Sequence, residues 1–576
     1  MALTERSGSQ ILRSFLPEQT ADIGGRIYRV KEWTAAVPIN IDGHLVRQQL
    51  LREIAPWSSR GMDNGMAADL LRGARVDVVE LDEQRGVTVE AFPRVWKCRN
   101  CKRIGKPNAV GRRCPCGKDE WGQLHFLGVH ECGAVYEPWI KRCPRHDDVR
   151  MVSPLSAKVQ DIVFECPECH VETMRGLGFR SCDCGGGQVR WNVHKARMIY
   201  APRGMVVINP PRPEHMNELN LHGGPRKALV WVVDGLVVNS PRDVTAPLTR
   251  DDLIEELVRK GIDRTFAEKM AAQAEEAGQL AQPGGLAVDR LPADRREEAE
   301  REAVSIAMAL AESRQPASAL RTSDPNDVLS QRYRMSYPAA MRRAGIDGVD
   351  LVDRFPVLNA MYGYTRGEDD PAKCTLIPFR RRHGGYRLYG SLAETEAFFI
   401  RLDPTRVARW LARRGHTLRE WSDPVDARIA IIEAADIPDR RDEVPERATV
   451  GSDLLQLVHT YAHRFIRQTA VFSGIERDAL SEYLVPLHLG FFVYAAPRGE
   501  FVLGGLQAVF ESELDSLLTN FVHAEHRCPL DPGCSRGSGA CAACVHLGEP
   551  SCRYFNRFLN RETLFGVTGY LRDTTL

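Results

Sequence analysis

The sequence predicts an α+β protein of several domains, and three observations support this fold class. The chain has 576 residues, more than one hydrophobic core holds, so three or four domains are expected. Strand-like apolar runs alternate with helical patterns along the chain. Fifteen of the sixteen cysteines lie in two clusters, residues 98–184 and 528–552, and only Cys374 stands apart. We therefore expect two cysteine-rich modules within a larger α+β framework.

The composition excludes several classes of protein. A net charge of +1 does not indicate a protein that binds nucleic acid or a membrane surface through its overall charge. An anionic partner would therefore have to bind a local patch of basic residues. The N-terminus lacks the apolar core of a signal peptide, and no run of eighteen apolar residues occurs. We expect a cytoplasmic protein without a membrane span. Because the cytosol keeps thiols reduced, the clustered cysteines indicate metal rather than disulfides.

The order of patterns divides the chain into six predicted segments. They are an N-terminal α+β region (1–90), a tandem ribbon insert (91–190), a β-rich segment (191–249), a charged helical insertion with a linker (250–328), a central α/β region (329–450) and a C-terminal helix–hairpin–helix module (451–576).

Short sequence patterns justify the first four segments. "VDVVELDEQRGVTVEAF" predicts two strands, and "ARMIYAPRGMVVINPP" predicts a strand that ends at Pro210-Pro211. "ALVWVVDGLVVNSP" predicts a hairpin around Asp234-Gly235. Residues 250–313 are helical and charged, which is typical of a solvated insertion, and "SRQPASALRTSDPND" has the composition of a linker.

The last segment begins with an amphipathic helix. Asp453 is the predicted N-cap, and the apolar stripe behind it predicts a buried face. "LGFFVYAAPRGEFVLGG" predicts a hairpin, and "SELDSLLTNFVHAEHR" predicts a helix that leads into the C-terminal cysteines. The stripe consists of Leu454, Leu457, Val458, Tyr461, Phe465 and Ile466.

Two cysteine quartets share the spacing C-x2-C-x12-C-x-C. A zinc ribbon uses two tight turns, or knuckles, each of which directs two thiolates at one ion about 2.3 Å away. A glycine follows each second knuckle, where the turn needs a permissive residue. We expect structural Zn²⁺ at both quartets, and an iron–sulfur cluster is the minor alternative. The first quartet is Cys98, Cys101, Cys114 and Cys116, and the second is Cys166, Cys169, Cys182 and Cys184.

Further ligands lie between the quartets and near the C-terminus. His130 with Cys132, and Cys143 with His146, together predict a third site; alternatively, His130 is only a strand histidine. In the C-terminal cluster, five cysteines exceed one tetrahedral shell by one. We expect Cys541 and Cys544 to be joined by Cys534 and Cys552, with Cys528 as the competitor. Three to four ions are thus predicted.

No catalytic residues are predicted. A shell of four protein ligands leaves no open position for water, so these sites indicate structural metal. The phosphate-binding pattern G-x-x-x-x-G-K-[ST] is missing, which argues against ATP hydrolysis. His459 and His463 have metalloprotease spacing, but Thr460 replaces the general base. We interpret both histidines as core residues.

Basic residues concentrate on the first quartet, and their number exceeds what charge compensation needs. Lys and Arg contacts to phosphates give sequence-independent binding, so this ribbon is a candidate DNA contact; compensation of the thiolate charge is the alternative. A second candidate is Arg380, Arg381 and Arg382, beside Tyr386 and Tyr389, whose rings would stack on bases. The eight residues are Lys97, Arg99, Lys102, Arg103, Lys106, Arg112, Arg113 and Lys118.

The C-terminal motif resembles the helicase-associated zinc-binding domain of MrfA-type helicases. The residues that support this resemblance are "LVHTYAHRFIRQ", the cysteines of "C…DPGC…CAAC…SC", Asn556 and Leu559-Asn560-Arg561, where Asn560 replaces the usual Asp. Upstream, "VLNAMYGYTRG", "AETEAFFIRLDPTRVARWLARR" and "LHFLGVHECGAVYEPW" are similar to stretches of the DrmB family of the DISARM anti-phage system.

This resemblance implies a non-catalytic accessory subunit of a superfamily-2 helicase. Its expected partners are a DrmA-like DNA helicase subunit and DNA bound without sequence preference. Two other functions stay open at this level. One is a nuclease or hydrolase of a defence system with an unrecognised active site, and the other is a regulatory zinc protein that binds RNA or another protein.

Overall fold

The structure, a computed structural model, describes most of the chain. The described residues are 12, 14–34, 36–82, 86–105, 111–152, 158–244, 250–276, 287–320, 328–368, 370–439, 442–496, 503–523, 527–536, 539–548, 551–552 and 554–572. They combine helices and strands in several sheets. The predicted α+β class is confirmed at this level. In these ranges no helix is both long and apolar enough to cross a membrane.

The chain forms two compact units, 1–210 with 358–393, and 211–357 with 394–576. Among its described residues, the first unit contains many strands and few helices. Its strands are β1 (Thr20–Ile23), β2 (Arg26–Trp33), β3 (Ala36–Pro38), β4 (Val76–Leu81), β5 (Val87–Ala91), β6 (Trp96–Cys98), β7 (Trp121–Gln123), β8 (Phe126–Val129), β9 (Val135–Tyr136), β10 (Arg150–Val152), β11 (Val163–Glu165), β12 (Glu172–Arg175), β13 (Arg190–Val193), β14 (Ala201–Ile208) and β17 (Ile377–Pro378). Its helices are α1 (Gly43–Ser58) and α2 (Met66–Leu71).

The second unit is richer in helix. Its helices are α3 (Pro213–Leu221), α4 (Gly224–Val233), α5 (Arg250–Arg259), α6 (Arg264–Glu276), α7 (Ala293–Leu310), α8 (Val328–Gln331), α9 (Tyr337–Ala344), α10 (Pro404–Arg413), α11 (Pro424–Ala434), α12 (Val450–Ser473), α13 (Gly505–Ser512), α14 (Leu514–His523), α15 (Gly533–Arg536) and α16 (Glu562–Phe565). Its strands are β15 (Gln315–Pro316), β19 (Leu480–Val485) and β20 (Gly490–Ala495). Two long strands, β16 (Ile346–Thr365) and β18 (Tyr386–Leu402), contribute residues to both units.

The cysteine-rich part of the first unit is built from short antiparallel strands. β6 pairs with β7, β8 pairs with β13 and β9, and β11 pairs with β10 and β12. Such short strands bury little surface, and their shared apolar cluster is small: Ile104, Leu124, Val149, Met151, Ile162, Phe164 and Leu177. A separate, larger core lies between α1, β14 and the adjacent parts of β16 and β18.

The core of the second unit surrounds α12. Its apolar side packs on β19 and β20, which pair antiparallel from Leu480↔Ala495 to Val485↔Gly490. The predicted stripe is confirmed, because all six of its residues are buried. The hairpin forms earlier than predicted: β20 pairs with the preceding strand through the turn Pro486–His488. Much of the predicted second arm lies outside the described residues, and Gly504 caps α13.

Two predictions for the middle of the chain are wrong. The run "ALVWVV" lies in helix α4 rather than in a hairpin, with Ala228 to Val233 all buried. A continuous apolar run does not distinguish a buried strand from a buried helix. Asp234-Gly235 ends this helix, and Gly235 takes the positive φ of 83°. Helix α7 is also no solvated insertion, because Ala299, Ala303 and the residues from Ile306 to Leu310 are buried.

The predicted linker and the N-cap also differ from expectation. Gln315 and Pro316 pair with β16, while residues 321–327 of the linker lie outside the described part. Thr449, not Asp453, caps α12: Ser452 N–H donates to the Thr449 hydroxyl, and Thr449 N–H donates to the Ser452 hydroxyl. The strands predicted over residues 76–91 and near 201–208 are confirmed.

Candidate metal centres

Among the residues that the structure describes, five groups of four side chains bring their ligand atoms together, and within each group these atoms lie within 4.8 Å of one another. We number them site 1 (Cys98, Cys101, Cys114, Cys116), site 2 (His130, Cys132, Cys182, Cys184), site 3 (Cys143, His146, Cys166, Cys169), site 4 (Cys528, Cys534, Cys541, Cys544) and site 5 (His459, His463, Glu482, Cys552). All sixteen cysteines are free thiols.

The separations in sites 1 to 4 fit a tetrahedral zinc shell. Bonds of about 2.3 Å to sulfur and 2.0–2.1 Å to nitrogen set ligand atoms roughly 3.4–3.8 Å apart. In site 1 the Cys98 and Cys116 sulfurs are 3.7 Å apart, and those of Cys101 and Cys114 are 3.4 Å apart. A disulfide requires about 2.05 Å. The cysteine and histidine clusters therefore suit zinc.

Two kinds of knuckle supply the ligands of sites 1 to 3. In one kind, the N–H four residues after the first cysteine donates to that cysteine's carbonyl, and this donor has positive φ. In the other, a glycine three residues after the first ligand does the same. The first kind begins at Cys98, Cys143 and Cys166, with donors Lys102, Asp147 and His170. The second begins at Cys114, His130 and Cys182, with donors Gly117, Gly133 and Gly185.

The structure pairs these knuckles differently from the sequence-based expectation. Cys166 and Cys169 do not share a site with Cys182 and Cys184. Instead site 3 joins two knuckles of the first kind and site 2 joins two of the second kind, so that site 3 is nested within site 2 along the chain. The expected joint site of His130, Cys132, Cys143 and His146 is therefore wrong, although all four side chains belong to clusters.

Strand register explains this pairing. Arg150, just after the Cys143 knuckle, lies opposite Glu165, just before Cys166, and the two side chains form an ion pair. This register brings the site 3 knuckles together, with 3.8 Å between the Cys143 and Cys169 sulfurs. Likewise Val129, before His130, lies opposite Arg190, after Cys184.

His130 is a ligand candidate rather than only a strand histidine. Its Nδ1 lies 3.4 Å from the Cys184 sulfur, and the Cys132 and Cys182 sulfurs are 3.5 Å apart. A side chain added at Gly187 would meet the imidazole Nε2 at 3.3 Å, so the bare backbone there makes room for the ring. His146 is similar, with its Nδ1 3.4 Å from the Cys166 sulfur.

Site 4 contains Cys528, which the sequence analysis gave as the alternative ligand. Cys528 lies 3.5 Å from Cys541, and Cys534 lies 3.7 Å from Cys544, sulfur to sulfur. Cys552 belongs to site 5, which corrects the expected C-terminal set. The sequence could not decide this, because all five thiols occur within twenty-five residues.

The motif residues beyond the ligands hold the C-terminal loops. The Arg561 guanidinium donates to both Asp531 carboxylate oxygens, at 2.6 and 2.7 Å, and holds the pKa of that carboxyl well below its usual range. The Asn556 side chain accepts from Leu547 N–H and donates to its carbonyl, both at 2.9 Å. These contacts position the chain on either side of the cysteines.

Site 5 was missed by sequence reasoning, which treated His459 and His463 as core residues and did not consider Glu482. The two histidines are one turn apart on α12, and both are buried, as a core assignment requires. The i, i+4 spacing was the available signal, but the third and fourth ligand candidates come from β19 and the C-terminal segment.

Comparison with known proteins finds similarity to a family model and to a named protein. Residues 7–204 match a family model described as Domain of unknown function (DUF8724). The chain is also similar to a Bacillus paralicheniformis protein named DISARM protein DrmB, with 25% identity over 182 residues. This match covers 29% of the chain and 31% of that relative, so the chain spans about a third of the relative's length. The family match contains sites 1, 2 and 3.

Five of the basic residues around site 1 are exposed and make no ion pair with any residue in the described ranges. They are Arg99, Lys102, Arg112, Arg113 and Lys118. Lys106 lies outside those ranges. Lys97 is half-buried, and burial lowers the pKa of its ammonium group. Arg103 is largely buried between Asp148 (2.8 Å) and Glu168 (2.6 Å), so it stabilises the contact with the site 3 knuckles rather than a free cationic surface.

The second basic cluster does not form the surface expected from the sequence. Arg380, Arg381 and Arg382 pair with Asp69, Asp77 and Glu32, respectively. The rings cannot stack on bases, because Tyr386 is fully buried and Tyr389 is 6% exposed. Tyr389 contacts Trp33 and Phe379 edge to face. The predicted base stacking is therefore wrong, because the aromatic residues of β18 lie in the core, whereas a DNA contact by the three arginines stays a prediction.

Proposed function

We propose that this protein is a non-catalytic, zinc-binding accessory subunit in a DISARM-like bacterial defence system, where it helps a DNA helicase to bind DNA. Its zinc ions are structural and occupy sites 1 to 4. Its setting is the cytoplasm, where the thiols remain available for metal. The C-terminal region with site 4 is the part proposed to act as an MrfA-type helicase-associated domain.

Similarity supports the biological setting of this proposal. The partial relative is named as a component of DISARM, and its match to this chain is weak and covers about a third of either protein. The helicase partner and the DNA are inferred from the motif resemblance of the C-terminal segment. Sites 1 to 4 support a structural role of the metal, because four protein ligands close a tetrahedral shell.

The observation that carries the DNA contact is the exposed cationic face of site 1. Four thiolates and one divalent ion carry a net charge of 2−, which two basic residues would offset. Five exposed cations exceed this need, and three of them are arginines suited to phosphate: Arg99, Arg112 and Arg113. Since the whole chain carries only +1, this contact depends on the local patch.

The test replaces these three arginines by glutamine in the full-length chain. Labelled duplex and single-stranded DNA are titrated at several salt concentrations. Three lost phosphate contacts should lower the slope of log affinity against log salt by roughly three for duplex DNA. The loss should be similar for unrelated sequences, because phosphates carry no base information.

A matched control replaces Arg26, Arg60 and Arg447, which are exposed and make no ion pair with other described residues. It changes the net charge equally and should leave the slope nearly unchanged. Zinc content should be the same in all three proteins. If both triple variants lower the salt slope equally, the effect comes from the net charge of the chain and not from site 1. An unchanged slope in the site 1 variant would overturn the proposed DNA contact.

A further inference from the structure

Site 5 lies in the interior of the second unit. His459 and His463 extend from the buried side of α12, Glu482 lies on β19, and Cys552 follows the C-terminal cysteine loop. The histidines are 0% exposed, Glu482 is 1% exposed and Cys552 is 3% exposed. Two imidazoles, one carboxyl group and one thiol are thus enclosed together with almost no solvent contact to satisfy them.

The four side chains direct their ligand atoms to one point. His459 Nε2 is 3.3 Å from the Cys552 sulfur and 3.1 Å from Glu482 Oε1, and His463 Nε2 is 3.4 Å from Glu482 Oε2. A tetrahedral ion with bonds of about 2.0–2.3 Å sets mixed N, O and S ligands roughly 3.3–3.6 Å apart. The observed spacings of 3.1, 3.3 and 3.4 Å lie in that range or about 0.2 Å below it.

Hydrogen bonds within the cluster do not explain why these four polar side chains are buried together. Both carboxylate oxygens of Glu482 and Nε2 of His463 lack a hydrogen-bond partner among the described residues. Each of these oxygens lies 3.1 or 3.4 Å from a histidine Nε2 without hydrogen-bond geometry, so beside neutral imidazoles the charge of an ionised Glu482 is uncompensated in the interior, which is strongly unfavourable. A cation at the shared point would satisfy all three atoms at once.

The surrounding contacts leave the ligand atoms available. His463 Nδ1 lies 2.9 Å from the Val545 carbonyl, to which a protonated Nδ1 donates, and this leaves the Nε2 lone pair directed at the site. Asn556 N–H points at the Cys552 sulfur from 3.3 Å, an arrangement that stabilises a thiolate. Such second contacts are typical of metal ligands in proteins.

We propose that His459, His463, Glu482 and Cys552 bind one divalent transition-metal ion, zinc, as a fifth structural site. Two neutral imidazoles, one carboxylate and one thiolate carry a charge of 2−, which the ion cancels. A neutral site suits complete burial, whereas the four-thiolate sites keep a net negative charge and lie nearer the surface. The ion ties α12, β19 and the C-terminal segment together.

The site is structural because its ligands have no solvent access. Catalytic zinc keeps a position for water, and a metalloprotease places a glutamate after its first histidine. Here Thr460 occupies that position, and its hydroxyl accepts from Asn560 N–H at 3.1 Å. The rival explanation is a metal-free ion pair between Glu482 and a protonated histidine, in which Cys552 has no part.

The test counts metal ions per full-length chain by native mass spectrometry and elemental analysis after growth with zinc. The wild type should hold five ions. Glu482→Gln and Cys552→Ser should each hold one fewer, with far-UV circular dichroism retained. Glu443→Gln, at an exposed residue without an ion pair to any described residue, is the matched control and should keep the wild-type count.

A second comparison separates site 5 from site 4. Cys552→Ser combined with Cys534→Ser should lose two ions, whereas one shared site would lose only one. A zinc-saturated wild type with four ions overturns the proposal, as does a folded Cys552→Ser variant with an unchanged count. If both single variants fail to fold, the wild-type count decides.

Discussion

Asp453 acts as an ion-pair partner rather than as a helix cap. Its carboxylate accepts from Arg414 Nε and a terminal guanidinium nitrogen, at 2.6 and 2.7 Å, and lies 2.7 Å from His416 Nε2. The Asp453 side chain is 4% exposed. Capping belongs to Thr449, four residues earlier. The sequence predicted only Asp453 as the cap, and the tertiary position of Arg414 gives this carboxylate a different role.

We predict that Asp453→Asn destabilises α12 more than Thr449→Ala does. Removing one partner of a mostly buried ion pair should cost about 2–4 kcal/mol, while loss of a threonine N-cap costs about 1 kcal/mol. Native-state hydrogen exchange of α12 amides in both variants measures the two free energies of opening. A larger effect of Thr449→Ala would contradict the assigned role of Asp453.

His488 predicts a pH dependence of stability. It is 3% exposed with Nε2 2.8 Å from the Ala299 carbonyl, and burial lowers its pKa to about 4. An unfolded histidine titrates near 6.5. Between these values the unfolded chain binds a proton that the folded chain does not, so the stabilising contribution is complete above 6.5 and is lost as the pH falls towards 4.

The variant His488→Gln isolates this effect. Glutamine does not titrate and keeps an N–H for the Ala299 carbonyl. From pH 7 to pH 4.5 the wild type should lose up to about 3 kcal/mol of unfolding free energy relative to the variant, measured by denaturant titration. His222→Gln, at an exposed histidine, should follow the wild type. Parallel pH profiles of wild type and His488→Gln would show that the histidine is protonated when folded.

At the scale of elements, the knuckles were predictable but their partners were not. Each knuckle is a local turn whose residues are adjacent in sequence, so spacing and glycines reveal it. The pairing depends on which short strands align, and that information lies in registers such as Arg150↔Glu165. In sites 2 and 3, knuckles of the same kind therefore meet across about twenty to fifty residues, whereas site 1 joins one knuckle of each kind in sequence order.

Double variants test the nested pairing of sites 2 and 3. Each single variant, Cys166→Ser, Cys182→Ser or His130→Ala, should lose one zinc ion because three ligands hold the ion weakly. Cys182→Ser with His130→Ala should still lose one ion, and Cys182→Ser with Cys166→Ser should lose two. Native mass spectrometry gives these counts. If the first double variant instead loses two ions and the second loses one, the nested pairing is wrong. Cys166, Cys169, Cys182 and Cys184 would then share one site.

Helix α4 shows the same limit for secondary structure. Local patterns predicted the strands near residues 76–91, the strand before Pro210 and the apolar face of α12. In each case the apolar residues recur at the spacing of the element, or the apolar run ends at a residue that breaks it. The run before Asp234-Gly235 is apolar all round, so its period carries no information. This run is a helix because it packs against α7 in the core. The same contact buries α7, which the sequence predicted to be exposed.

At the scale of the whole molecule, the chain is organised as two units that interleave in sequence. The first collects residues 1–210 and 358–393, and the second collects the rest. The sequence suggested consecutive segments, and the division into six remains a prediction. Two strands of twenty and seventeen residues pass from one unit to the other, which no local composition shift reveals.

The sequence by itself determined the α+β class, the fifteen clustered thiols and the local turns that direct them, because these depend on neighbouring residues. Only the tertiary structure decided the grouping of the knuckles, the burial of Tyr386 and the pairing of Arg103. It also brought Glu482 and Cys552 to the two histidines of α12. These outcomes depend on contacts between residues far apart in sequence, whose geometry is set by strand register and core packing.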